Sequence, residues 1–158
     1  MNSLVKKAAG LGALAGLRTT IPPAVISHFK NNDPDAALAH SNLGFIQSPA
    51  AAIITKIAGM AEASADKAPG APDRIAVAQV LPRVASGALV GAIVFQANRG
   101  NVIKGTIIGG VAALAATYAS FYLRKRLKKV PFVKDSVLGL LEDMFVLNGS
   151  KLILNQQE

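Results

Sequence analysis

The residues whose types suggest chemistry are charges embedded in apolar surroundings. Arg18 ends a long apolar stretch and is followed by Thr19, Thr20 and the tandem prolines Pro22 and Pro23. Arg83 repeats the pattern beside Pro82, with Ser86 and Gly87 following. A charge at bilayer depth costs roughly 2.5–3.5 kcal/mol on insertion scales, so such an arginine faces a polar cavity or a partner. Two readings follow. In one, Arg18, Thr19, Thr20, Arg83 and Ser86 form a polar site for an anion or an anionic head group, helped by backbone donors that a proline break sets free. In the other, Arg18 pairs with Glu62 or Asp66 and holds helices together.

The remaining charged candidates cluster in two places. Glu62, Asp66, Lys67 and Arg74 lie in a stretch with two prolines that reads as a rigid connector, and Glu142 with Asp143 lies near the C-terminal end. Glu62 and Asp66 are one helical turn apart, so they share a face and could serve ion pairs or a cation. His28 and His40 lack ligand spacing to any partner, so no metal site is expected. No nucleophile elbow, phosphate loop or dinucleotide fingerprint is present, so neither a catalytic residue nor a cofactor is expected, and the chain does not read as an enzyme.

Composition shows what must position these residues. Of 158 residues, 51% are hydrophobic and only 16% charged, against roughly 25% charged in an average soluble domain. A domain this small has a high ratio of surface to volume and too little polar surface to cover it, which makes lipid the expected solvent. The net charge of +8 is concentrated in Arg124, Lys125, Arg126, Lys128 and Lys129, directly after an apolar segment. Nucleic-acid binders interleave basic with aromatic or polar residues, so no nucleic-acid partner is expected. Cys is absent, which removes disulfides and thiolate chemistry.

The apolar segments are read as helices, giving an all-α, polytopic membrane bundle of about four spans. Val102 to Leu123 has the length of a crossing. Ile75 to Ala97 is expected to run through Pro82 with a kink. A third candidate starts at Ser48, an N-cap with Pro49 behind it, and reaches about Ala65. The first runs from Leu4 to Phe29, broken at Pro22 and Pro23, and is read as a retained helix rather than a cleaved signal. A helical turn is placed near Asp35 to His40. Val133 to Leu147 reads as an amphipathic helix, with Val133, Val137, Leu140, Leu141, Met144 and Leu147 on one face and Lys134, Asp135, Glu142 and Asp143 on or near the other. Packing beneath the bundle is favoured over a surface or partner role.

This gives a single domain over 1–158: a membrane bundle over 1–130, then a cytoplasmic amphipathic helix and tail over 131–158. Four spans put both termini on one side. Lys6, Lys7, Lys67, Arg74 and the run from Arg124 to Lys129 then share a face, with Lys30 and Arg99 opposite, which by the positive-inside rule places both termini in the cytoplasm of a multi-pass inner-membrane protein.

Three pairs of glycines at four-residue spacing, Gly12 with Gly16, Gly87 with Gly91 and Gly105 with Gly109, let helix backbones approach. Packing within a bundle or a homo-oligomer is their expected role, with a glycine-lined pore as the alternative.

The combination of Gly16-Leu17-Arg18-Thr19, Glu62 with Asp66-Lys67-x-Pro69, Arg83 with Ser86-Gly87-Ala88, and Leu141-Glu142-Asp143 resembles an uncharacterised bacterial integral-membrane family, a domain of unknown function. The resemblance spans nearly the whole chain. It implies a compact multi-span membrane fold and supplies no activity, substrate or catalytic residues. The functional expectation is a small transporter or channel-like protein with an arginine-lined anion site, membrane lipid and copies of itself being its partners. The alternative is a structural or accessory protein whose charges only pair between helices.

Overall fold

The tandem prolines begin a helix rather than kink one. In the computed structural model, which describes residues 2–65, 75–127 and 135–155, helix α1 is Asn2–Leu17 and α2 is Ile21–Asn32. Pro22 and Pro23 sit in the first turn of α2, where the missing N–H groups have no helical partner to lose. Asp35 caps the four-residue α3, Ala36–Ala39, by accepting from the Ala37 and Leu38 amides at 2.8 and 3.3 Å. A 3-10 turn, Gly44–Gln47, is tied back to it: Gln47 accepts from the Asp35 amide at 2.5 Å and donates to the Asp35 carbonyl at 3.2 Å. Ser48 caps α4, Pro49–Ala65, accepting from the Ala51 amide at 3.1 Å.

Three long helices complete the fold: α5, Val77–Ala97, which runs through Pro82; α6, Val102–Leu127; and α7, Asp135–Asn155. The described residues are all-helical.

The glycine pairs meet one another at the junction of α1, α5 and α6. A Cβ on Gly12 would stand 2.5 Å from the Gly109 carbonyl oxygen, and one on Gly87 would stand 2.6 Å from the same atom. Gly16 lies against the Ala113 backbone, and Gly91 against that of Gly105. Backbones at this separation gain dispersion contacts that any side chain would prevent. All six glycines are therefore used within one protomer.

These contacts also set directions. Gly12 opposite Gly109 and Gly16 opposite Ala113 make α1 parallel to α6, so its N-terminus lies at the end of the bundle that carries the α5–α6 turn. There Arg99 adopts a φ of 53°. Helix α7 runs antiparallel to α1, with Ile153 against Gly10 and Leu14 against Gly149. Helix α2 returns toward the same end, where Ile26 and Phe29 share a crevice with Leu154. The Gln96 amide holds α3 there too, donating to the Ala37 carbonyl at 3.1 Å.

Helices α1 and α2 thus form a hairpin whose reversal, Arg18–Thr20, lies beside Ser86 and Thr117, well within the lengths of α5 and α6. This corrects the expected broken crossing from Leu4 to Phe29, because the three residues before the prolines turn the chain back. Lys6 and Lys7 consequently lie at the end that holds Lys30 and Arg99, opposite Arg124, rather than on the face of Arg124 that a simple crossing order gives them. Lys67 and Arg74 lie outside the described residues.

Among the described residues two helices, Val77–Ala97 and Val102–Arg126, are long and apolar enough to cross a membrane, with mean hydropathies of 1.6 and 1.5. Helices α1 and α4 have 16 and 17 residues, short of the roughly 20 that a perpendicular crossing takes.

Large apolar side chains cover the outside. Ile53, Ile57 and Met60 on α4, Ile103, Ile107 and Val111 on α6, and Leu140, Leu141 and Phe145 on α7 are all exposed. Arg18, Ser27, Arg83, Ser86, Thr117, Ser120 and Ser150 are buried. Helix α7 turns its expected face around: Val137, Leu140, Leu141, Met144 and Leu147 point outward, while Glu142 and Asp143 face the bundle. The cause is electrostatic, since the interior holds arginines that those carboxylates meet.

Gly12→Val drives a side chain into the Gly109 backbone and should destabilise the protein by about 1–3 kcal/mol or more. Gly110→Ala, whose new Cβ would find its nearest neighbour 3.6 Å away, should leave stability nearly unchanged. Thermal unfolding of the two variants in detergent checks the contrast.

Candidate functional site

The reversal between α1 and α2 gathers the polar residues. Helix α1 ends at Leu17, α2 begins at Ile21, and the amides of Thr19 and Thr20 have no helical acceptor. Glu62, near the end of α4, supplies one. Its Oε1 accepts from the Thr19 amide at 2.9 Å, and its Oε2 accepts from the Thr20 amide at 3.0 Å and from the Thr20 hydroxyl at 2.5 Å. One carboxylate therefore caps the reversal, where the positive end of the α2 dipole also favours negative charge.

The carbonyl side of the reversal is held from other helices. Ser86 of α5 donates its hydroxyl hydrogen bond to the Thr19 carbonyl. Thr117 of α6 donates to the Gly16 carbonyl at 3.0 Å and to its own Ala113 carbonyl at 2.8 Å. Sequence reasoning missed Thr117, although Gly105, Gly109, Ala113 and Thr117 recur every four residues and mark one face of α6.

Arg18 points to α7. Its Nε lies 2.6 Å from Asp143 Oδ1, a contact ion pair, with side-chain exposures of 4% and 29%. Its Nη2 donates to the Gly139 carbonyl at 3.5 Å. Beside it, Arg124 of α6 reaches Glu142 at 3.9 Å. The inward line of Gly139, Glu142, Asp143, Val146, Gly149 and Ser150 places small and acidic residues together at helical spacing, the signal that identifies the packed face of α7.

The expected residues thus fall into groups. Arg18, Thr19, Thr20, Ser86, Glu62 and Asp143 converge. Arg83 is buried, 1% exposed and engaged within the protein, but it is not among the residues lining the cavity beside Arg18. Asp66, Lys67 and Arg74 lie outside the described residues, so the paired use of Glu62 and Asp66 has no geometry to weigh. Among the described residues no cluster of His, Asp and Glu could hold a metal ion.

That cavity has a volume of about 620 Å³ and lies between α2, α4 and α7. Arg18, Glu62 and Asp143 occupy one end of it, and Val25, Met60 and Leu147 are among its apolar walls.

A family described as a domain of unknown function, DUF4126, matches residues 6–156. The chain belongs to this family. The match embraces the reversal, both carboxylates that hold it, and the helices from residue 6 of α1 onward. No curated protein and no solved structure matches the chain.

If Arg18 and Asp143 act as one buried pair, Arg18→Met and Asp143→Leu should each cost about 3–5 kcal/mol by stranding the other charge, and the double replacement Arg18→Met with Asp143→Leu should cost less than their sum. A double-mutant cycle on unfolding in detergent measures this coupling. Additive losses would mean that the two side chains do not interact.

Proposed function

We propose that this family member is a multi-pass membrane protein of the structural or accessory kind, whose intramembrane charges serve to lock a re-entrant hairpin. Two helices among the described residues could span a membrane. The apolar outward faces of α4 and α7 extend the lipid-facing surface around the bundle, so crossings by α4, α5, α6 and α7 retain a count of four, with α1 and α2 entering and leaving on one side. In a bilayer core, non-helical backbone is tolerated where protein buries and satisfies it, which the contacts to Glu62, Ser86 and Thr117 achieve.

One observation carries the choice of an accessory role. The positions that a bound anion would occupy, beside Arg18 and on the Thr19 and Thr20 amides, are filled by Asp143 and Glu62 from the same chain. The cavity against these groups favours a second reading, a transporter in which a substrate anion displaces one carboxylate.

Two measurements separate the readings. The protein should remain in membranes through carbonate extraction, and proteoliposomes should pass anions no faster than protein-free vesicles, with Arg18→Met lowering stability alone. Release by carbonate would refute membrane insertion. An anion flux that Arg18→Met removes while the fold persists would establish the transporter.

A further inference from the structure

We propose that the cavity between α2, α4 and α7 holds an acyl chain of an anionic phospholipid, with the head group bound by Lys56 and Lys151. This inference rests on the membrane reading above.

The cavity is polarised along its length. At the inner end stand Arg18 and Asp143, joined as an ion pair, and Glu62, held by the Thr19 and Thr20 amides. The walls are apolar: Ile21, Val25 and Phe29 from α2, Met60 from α4, Met144 and Leu147 from α7. Lys56, His28 and Lys151 line the other end, and all three are exposed. Six residues separate Lys56 from Glu62 and eight separate Lys151 from Asp143, which at helical rise places the cationic end about 9–12 Å from the buried pair.

Charge complementarity identifies the occupant. The carboxylates lining the cavity, Glu62 and Asp143, both lie at the inner end and are engaged there. The outer end presents two lysines on different helices, a site for an anion. Met60, Met144 and Leu147 line the cavity and are themselves exposed on α4 and α7, and Ile57, one helical turn before Met60, is exposed as well. An apolar channel that opens among lipid-facing side chains and ends in cations matches a phosphate joined to a hydrocarbon chain. Lysines on its rim can extend their amines toward the nearer head-group layer while their stems stay on apolar surface.

Lys56 and Lys151 are exposed and take no part in the Arg18 or Glu62 contacts, so Lys56→Ala with Lys151→Ala leaves the hairpin intact. The experiment titrates phosphatidylglycerol, phosphatidylcholine or inorganic phosphate into detergent-purified protein and follows thermal stabilisation. Phosphatidylglycerol should bind selectively, and the double variant should bind it roughly thirtyfold more weakly, the effect of removing two lysines near an anionic head group, while its lipid-free melting temperature stays that of the wild type. Equal stabilisation by phosphatidylcholine, unchanged selectivity in the double variant, or equal stabilisation by inorganic phosphate would each overturn the proposal. If the chain resists carbonate extraction and yet shows no selectivity, the lipid site alone fails; release by carbonate overturns both readings.

Discussion

Everything in this fold is arranged around the three residues at which the chain reverses between its first two helices. Arg18 brings a guanidinium, and Thr19 and Thr20 bring amides without a helical acceptor, beside the middle of α5 and α6. Such groups are costly in apolar surroundings unless each finds a partner. Helix α4 brings Glu62 to the amides, α7 brings Asp143 to the guanidinium, and α5 and α6 bring hydroxyls to the carbonyls. The reversal therefore acts as a hub on which four other helices dock.

The glycine faces make that hub reachable. Short hydroxyl side chains on α5 and α6 bond the Thr19 carbonyl of the reversal and the Gly16 carbonyl of α1 because the helices touch through Gly12, Gly16, Gly87, Gly91, Gly105 and Gly109. Buried polar residues stand beside an apolar core that includes Leu11, Ile26, Val90, Ile93 and Val146, while many large apolar residues also turn outward. The distribution of α7 is the clearest case, its acidic residues facing in and Leu140, Leu141 and Phe145 facing out.

Much of the architecture was legible in the residues themselves. Helix α6 follows from its unbroken apolar run, α4 from Ser48 and Pro49, and the short α3 from Asp35. Arg18 drew notice because an arginine after an apolar stretch demands a partner, and the threonines and prolines beside it signal a break. Direction was not legible. Tandem prolines fit a kink and a helix start equally well, and only the pairing of Gly12 with Gly109 and Gly16 with Ala113 shows which way α1 runs. The orientation of α7 was hidden for a related reason: apolar residues at helical spacing face a core or lipid alike, and the choice depends on arginines of other elements, Arg124 and the sequence-distant Arg18.

The hairpin makes a demand on sidedness that a chain without native cysteines can answer cleanly. Single cysteines at Lys6, Arg99 and Lys125, all exposed, can be labelled with a membrane-impermeant thiol reagent in sealed vesicles. The re-entrant hairpin requires Lys6→Cys and Arg99→Cys to react from one side and Lys125→Cys from the other. Labelling of Lys6→Cys and Lys125→Cys from the same side would contradict it.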